Sequence, residues 1–193
     1  MIIGITGSSG AGKSTVCEIL ERKYGVQIIN ADKIAKQLSQ KGTSYLTDIV
    51  KQFGEKILLE NGELNRPKLA EIIYANHEKR EQLNKCTFKH IKEEIKKEIN
   101  NIENIEETII AIDAPLLFEA GLEEICEFVV AVVSDNRELQ IQRITKRDGI
   151  TKEQAIARLN AQKPNEFYTS RSKYVIVNNG ELEDVEEQIK TIL

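Results

Sequence analysis

The chain has 193 residues, of which 40% are hydrophobic, 30% charged and 5% aromatic, and its net charge is −4. That length suits a single domain whose core needs neither disulfides nor a structural metal. The acidic balance excludes the overall basic excess with which duplex-binding proteins neutralise phosphates, so no nucleic-acid partner is expected. No apolar run reaches the ~20 residues that cross a bilayer, and the start enters a strand-like run at once, so a cytoplasmic protein without an export leader is expected. Cys17, Cys86 and Cys126 are widely separated, with no paired spacing. They read as small buried apolar residues in a reducing compartment. With His77 and His90 as the two histidines, no zinc-type cluster is expected.

In chain order, a Val/Ile-type strand over residues 2–6 runs into Gly7-Ser8-Ser9-Gly10-Ala11-Gly12-Lys13-Ser14, which matches G-x-x-x-x-G-K-[ST]. Such a loop, between a strand and a helix over 13–23, turns successive backbone N–H groups onto phosphate oxygens and adds the positive end of the helix. Gly7, Ser9, Gly10, Ala11, Gly12, Lys13, Ser14 and Thr15 are therefore the candidate nucleotide-binding residues. Lys13 would reach the β- and γ-phosphates, and the Ser14 hydroxyl would serve Mg²⁺. ATP is the expected co-substrate. A second strand over 26–30 precedes Asp32 and a helix over 32–39. At the carboxyl edge of a parallel sheet, Asp32 would orient an attacking hydroxyl or accept its proton; alternatively it caps the helix it begins.

The stretch from residue 31 to residue 107 is far longer than one crossover helix requires. Within it, helices are expected over 67–75 and 78–99. In the second, Leu83, Thr87, Ile91, Ile95 and Ile99 form a stripe on one face, opposite Lys92, Glu93, Lys96 and Lys97. That charged face reads as solvated or as phosphate-attracting. A third strand over 108–112 leads to Asp113, which would hold Mg²⁺ through water, orient the acceptor, or simply end the strand. The fourth strand, over 128–133, precedes a helix over 137–146 carrying Arg143, Lys146 and Arg147. Arg143 and Arg147 share a face and suit charge stabilisation on a transferring phosphoryl group, or else pair with the helix dipole. A second excursion, 151–172, opens with the capping pair Thr151 and Gln154. A fifth strand over 174–178 and a helix over 181–192 complete the chain. Short, non-alternating strands between helices predict an α/β fold whose parallel sheet is covered on both faces. No N-K-x-D segment of a GTPase occurs. A small-molecule kinase leads; a nucleotide-binding regulator without turnover stays open on the residues alone.

These pieces, in order, resemble the dephospho-coenzyme A kinase family. The resemblance covers residues 3–180. Beyond the loop it rests on Ala31-Asp32-Lys33-Ile34-Ala35, Phe53-Gly54-Glu55-Lys56-Ile57-Leu58, Gly62-Glu63-Leu64-Asn65-Arg66, Leu69 and Leu83-Asn84. It continues through Pro115-Leu116-Leu117-Phe118-Glu119, Arg143, Arg147-Asp148-Gly149, Ala161-Gln162 and Asn178-Asn179-Gly180.

The resemblance implies a three-layer P-loop NTPase fold like that of nucleoside-monophosphate kinases, with a five-stranded parallel sheet, a helical substrate-binding insertion and a lid. The expected division is a core of about 1–35, 105–147 and 173–193, an acceptor-binding insertion of about 36–104, and a lid of about 143–172. The implied reaction is transfer of the ATP γ-phosphoryl group to the ribose 3′-hydroxyl of dephospho-coenzyme A, the final step of coenzyme A biosynthesis. A related P-loop kinase acting on another nucleoside, nucleotide or small-molecule hydroxyl is the alternative.

Carried over by position, Asp32, Lys13 and Arg143 are the catalytic residues, with Asp32 as general base and Arg143 as the lid arginine. Arg143, Arg147, Asn179 and Gly180 join the nucleotide site, with the loop from Asn178 to Gly180 near adenine. Asp32, Asp113, Leu116, Leu117, Asn84 and Phe88 would line the acceptor site. A monomer or weak homo-oligomer is expected. Asn30 and Phe88-Lys89 stand where the family usually carries Asp and His-Pro.

Overall fold

A computed structural model describes residues 1–74 and 76–193. Residues Met1–Ile29 with Glu103–Leu193 form one compact unit, and Asn30–Ile102 forms the other. The strands are β1 (Ile2–Thr6), β2 (Gln27–Asn30), β3 (Ile110–Asp113), β4 (Phe128–Val133) and β5 (Tyr174–Val177). They make one all-parallel sheet in the order β2-β3-β1-β4-β5. β1 is central, with Ile5 opposite Asp113 of β3 on one side and Val130 of β4 on the other.

In the first unit the helices are α1 (Lys13–Tyr24), then, after the long excursion, those that follow β4 and β5. Alternate strand residues divide the core. Ile3, Ile5, Ala111, Val130, Val132 and Ile176 face a layer containing Val16, Ile19 and Leu20 of α1 and Val185 and Ile189 of the last helix. On the other face, Gly4 lies against Leu117, Cys126 and Val129, and Leu122 is buried beside them. Strands buried on both faces account for the continuous Val/Ile runs.

The second unit contains α2 (Ala31–Leu38), α3 (Ser44–Phe53), α4 (Arg66–Tyr74) and α5 (His77–Asn100). On α5, Thr87, Ile91, Ile95 and Ile99 are buried, at the four-residue spacing read from the sequence. The helix expected over 67–75 corresponds to α4, and its last position, Ala75, lies outside the described residues. α3 was not anticipated. It is opened by Thr43, whose side chain accepts from Leu46 N, and it buries Tyr45, Leu46, Ile49 and Phe53. The Arg66 guanidinium at the start of α4 donates to Lys36 O and Ser39 Oγ, fastening α4 to the end of α2.

The first unit ends with α6 (Arg137–Asp148), α7 (Lys152–Asn160), α8 (Asn165–Thr169) and α9 (Leu182–Lys190). Thr151 and Gln154 form the expected reciprocal capping box of α7. α6 runs unbroken to Asp148 and closes at Gly149 in the left-handed region, so the segment expected as a lid, about 143–172, starts with the last turns of this helix. Among the described residues no helix is long and apolar enough to cross a membrane.

Candidate active site

The loop between β1 and α1 is shaped by glycines that nothing else can replace. Gly7 has φ 140° and Gly12 φ 96°. A Cβ on Gly7 would run into the Val132 carbonyl oxygen, and one on Gly12 into Asn178 Nδ2. Gly12 is also the N-cap of α1, so no side chain caps this helix and its first turn holds no acid. By contrast α2, α3, α5, α6 and α7 are each capped by an Asn or Thr side chain. The α1 terminus thus keeps its amides and dipole available to an anion.

Lys13 Nζ donates to Gly7 O at 2.6 Å and Ser8 O at 3.2 Å, which holds the ammonium across the loop. Ser14 is exposed and Thr15 half-buried in the first turn of α1, while Ala11 is fully buried. Asp113, at the carboxyl end of β3, is 8% exposed. The Cys17 thiol sits one turn after Lys13. Burial, and then the Asp113 carboxylate, push it far above the ordinary thiol range, with Lys13 acting in opposition. The same thiol therefore feels Asp113 and Lys13, which brings a carboxylate and an ammonium to one end of the sheet. Ser14 and Asp113 are hard oxygen donors of the kind Mg²⁺ takes, and both belong to this unit.

α6 and the segments beyond it brace the loop. Arg143 Nη1 donates to Gly10 O at 3.1 Å, Ala11 O at 3.5 Å and Asn178 O at 3.3 Å, and Nη2 donates to Asn178 Oδ1 at 2.8 Å. Burial lowers the Arg143 pKa from its usual value. Every polar group of Ser9 is engaged: its N–H donates to Gln162 Oε1 at 2.9 Å, its carbonyl accepts from Gln140 Nε2 at 3.2 Å, and its hydroxyl from Arg147 Nη2 at 3.2 Å. Arg147 also grips Asp148 through Nε and Nη2, each at 2.8 Å.

Gln140 carried no sequence signal beyond helical spacing. Gln162 stands only within a quoted segment, and the resemblance puts Asn178 in the loop near adenine, with no link to Arg143. Asn179 Oδ1 accepts from Ser134 Oγ at 3.2 Å and Asp135 N at 2.9 Å, joining the loops after β4 and β5. Gly180 follows with φ 131°. Leu116 is 43% exposed, whereas Leu117 is fully buried under Gly4 of β1. Leu117 supports the turn, and Leu116 is the side chain that turn presents.

In the second unit, Asp32 lies exposed in the first turn of α2. It does not cap the helix, as one reading of the sequence allowed. Asn30 does, accepting from Lys33 N at 2.9 Å. Tyr45 is buried, and its hydroxyl pKa rises to about 12 through burial and then through Cys86 and Asp32, with Arg66 and Thr87 opposing. Asn84 and Phe88, both half-buried, flank Thr87 on α5. His90 Nε2 meets Asp48 Oδ2 at 2.8 Å, and Lys89 Nζ meets the same oxygen at 2.9 Å. Lys89, His90 and Lys51 together hold the Asp48 carboxyl well below the usual carboxylate range.

Among known proteins, the family model described as Dephospho-CoA kinase matches residues 1–184. A Listeria innocua protein named Dephospho-CoA kinase is 39% identical over 191 residues, covering 99% of this chain and 94% of the relative. A solved dephospho-CoA kinase from Campylobacter jejuni superposes with TM-score 0.68 at 29% identity, covering 99% of this chain and 94% of that one. A crystal structure from Thermus thermophilus gives TM-score 0.81 at 29% identity, covering 100% and 95%. Matching from end to end in both sequence and fold, the chain belongs to the dephospho-CoA kinase family.

Proposed function

We propose that this protein transfers the γ-phosphoryl group of ATP to the ribose 3′-hydroxyl of dephospho-coenzyme A, releasing ADP and coenzyme A. The observation that carries the chemistry is the glycine loop feeding an α1 terminus with no side-chain cap, crossed by Lys13 and braced by Arg143. Family membership carries the acceptor.

Phosphoryl transfer asks for positioning and charge stabilisation more than covalent chemistry. The amides of Gly7, Ser9, Gly10, Ala11, Gly12, Lys13, Ser14 and Thr15 supply the cradle, with Ser9 N–H shared with Gln162. Lys13 and Arg143 place positive charge where it spreads over the transferring group. Arg147 secures the loop through Ser9. The segment after β5, with Asn179 and Gly180, sits on the adenine side. Asp32 takes the proton of the attacking 3′-hydroxyl as general base. Asn84, Phe88, Leu116, the turn held by Leu117, and Asp113 serve the acceptor. Mg²⁺, when bound, offsets charge on the β- and γ-phosphate oxygens, and the Ser14 hydroxyl and the Asp113 carboxylate, through water, would hold it. Segment 143–172 acts as the lid that excludes water and so limits idle ATP hydrolysis.

The test is ADP release from ATP and Mg²⁺ with dephospho-coenzyme A compared with adenosine, AMP and other nucleosides. Turnover that depends on dephospho-coenzyme A is expected. Faster turnover with another acceptor overturns the reading.

A further inference from the structure

Arg143 and Arg147 leave α6 four residues apart, yet their charges are set differently. Arg147 is paired with the Asp148 carboxylate through two nitrogens. Arg143 has four acceptors, Gly10 O, Ala11 O, Asn178 O and Asn178 Oδ1, and every one of them is neutral. A guanidinium held this way keeps its full positive charge while its position is fixed.

Asn178, directly after β5, is 2% exposed. A guanidinium only donates, so Oδ1 must face Arg143, which settles the orientation of the amide. Nδ2 then lies against Gly12, buried and without a partner among the described residues. A buried donor left unpaired is unfavourable. Valine or leucine would remove that penalty but would lose the acceptor for Nη2. Aspartate would keep the shape and form a stronger pair, but would cancel the charge of Arg143. Of these side chains, asparagine alone grips the cation and leaves its charge intact.

We propose that Asn178 is a positioning residue that fixes the Arg143 guanidinium against the phosphate loop while preserving its positive charge for the nucleotide. The proposal rests on the ATP-dependent reading above and adds a residue to it. Its test reads ATP affinity by calorimetry alongside kcat/KM and the thermal midpoint. Affinity is measured without acceptor, so a wrong acceptor would appear in the parent protein's turnover and leave this comparison standing.

Asn178→Asp is expected to weaken ATP binding and lower kcat/KM by about tenfold or more, the scale of losing one preorganised charge contact. Its thermal midpoint should stay equal or rise. In an Arg143→Ala background the same change should cost less than about threefold, because no cation remains to be cancelled. Asn178→Asp values within twofold of the parent overturn the proposal, as does an equal loss in the Arg143→Ala background. If Asn178→Asp does not fold, Asn178→Ser, which keeps a neutral oxygen, is compared with Asn178→Val, which does not. Tighter ATP binding by the serine variant supports the proposal, and equal binding overturns it.

Discussion

Asp32 occupies the second position of α2, exposed, while Asn30 carries the capping duty. With Asn30 as the cap, the Asp32 carboxylate is not needed for capping, and this division of labour explains why the amide at 30 is tolerated: Asn and Asp cap equally well. Asp32→Asn should leave ATP affinity near that of the parent and lower kcat by roughly 10²–10⁴-fold, the range that general-base help supplies. Steady-state rates together with calorimetric ATP binding check this, and unchanged kcat removes Asp32 from the role. At this scale the loop was readable because Gly7, Gly12 and Lys13 act locally, within one turn of chain. Gln140, Gln162 and Asn178 were not. Their partners lie 132, 153 and 35 residues away, and such contacts leave no trace in local spacing.

The cap belongs to the element. Asn30→Ala should destabilise the fold by about 0.5–2 kcal/mol, whereas Asn30→Asp should be close to neutral. Denaturant midpoints at constant slope measure both, and an equal loss for the two variants contradicts the cap. Elements with a strong repeat were the readable ones. β1 and β4 have the bounds expected from their Val/Ile runs, and α5 buries the expected stripe from Thr87 to Ile99, with Leu83 half-buried. α8 escaped notice because five residues after Pro164 complete little more than one turn, too short for a period to show. α3 buries Tyr45, Leu46, Ile49 and Phe53, but its 10 residues fall short of the window of about 11–18 over which a helical period is read. β3 begins two residues later than expected, at Ile110, and takes in Asp113, which places that carboxylate within the strand pairing opposite Ile5.

At the scale of the whole molecule, the opening charge balance has a local meaning: the cations assigned to phosphate are individual and held in place, whatever the sign of the total. The three cysteines are all free thiols. Burial pushes Cys17 beyond the ordinary range and Cys126 up to about 12, and it raises Cys86 as well. Tyr45 and Tyr168 rise to about 12 by the same cause. Each group keeps its proton in the folded chain at pH values where the unfolded chain has lost it. Their stabilisation is therefore complete below the unfolded values of 9.0 for Cys and 10.0 for Tyr, and is lost as pH rises above them. A lower denaturation midpoint at pH 10 than at pH 8 is expected, and an unchanged one contradicts it. Thiol labelling at pH 8 should be slow in the native protein and fast once it is unfolded.

The central claim is the reaction itself, and phosphorus NMR of the product formed from ATP, Mg²⁺ and dephospho-coenzyme A tests it most directly. One phosphomonoester on the ribose 3′-oxygen, formed in step with ADP, is the predicted result. ADP without a new phosphomonoester, or a phosphate on any other oxygen, would contradict the account.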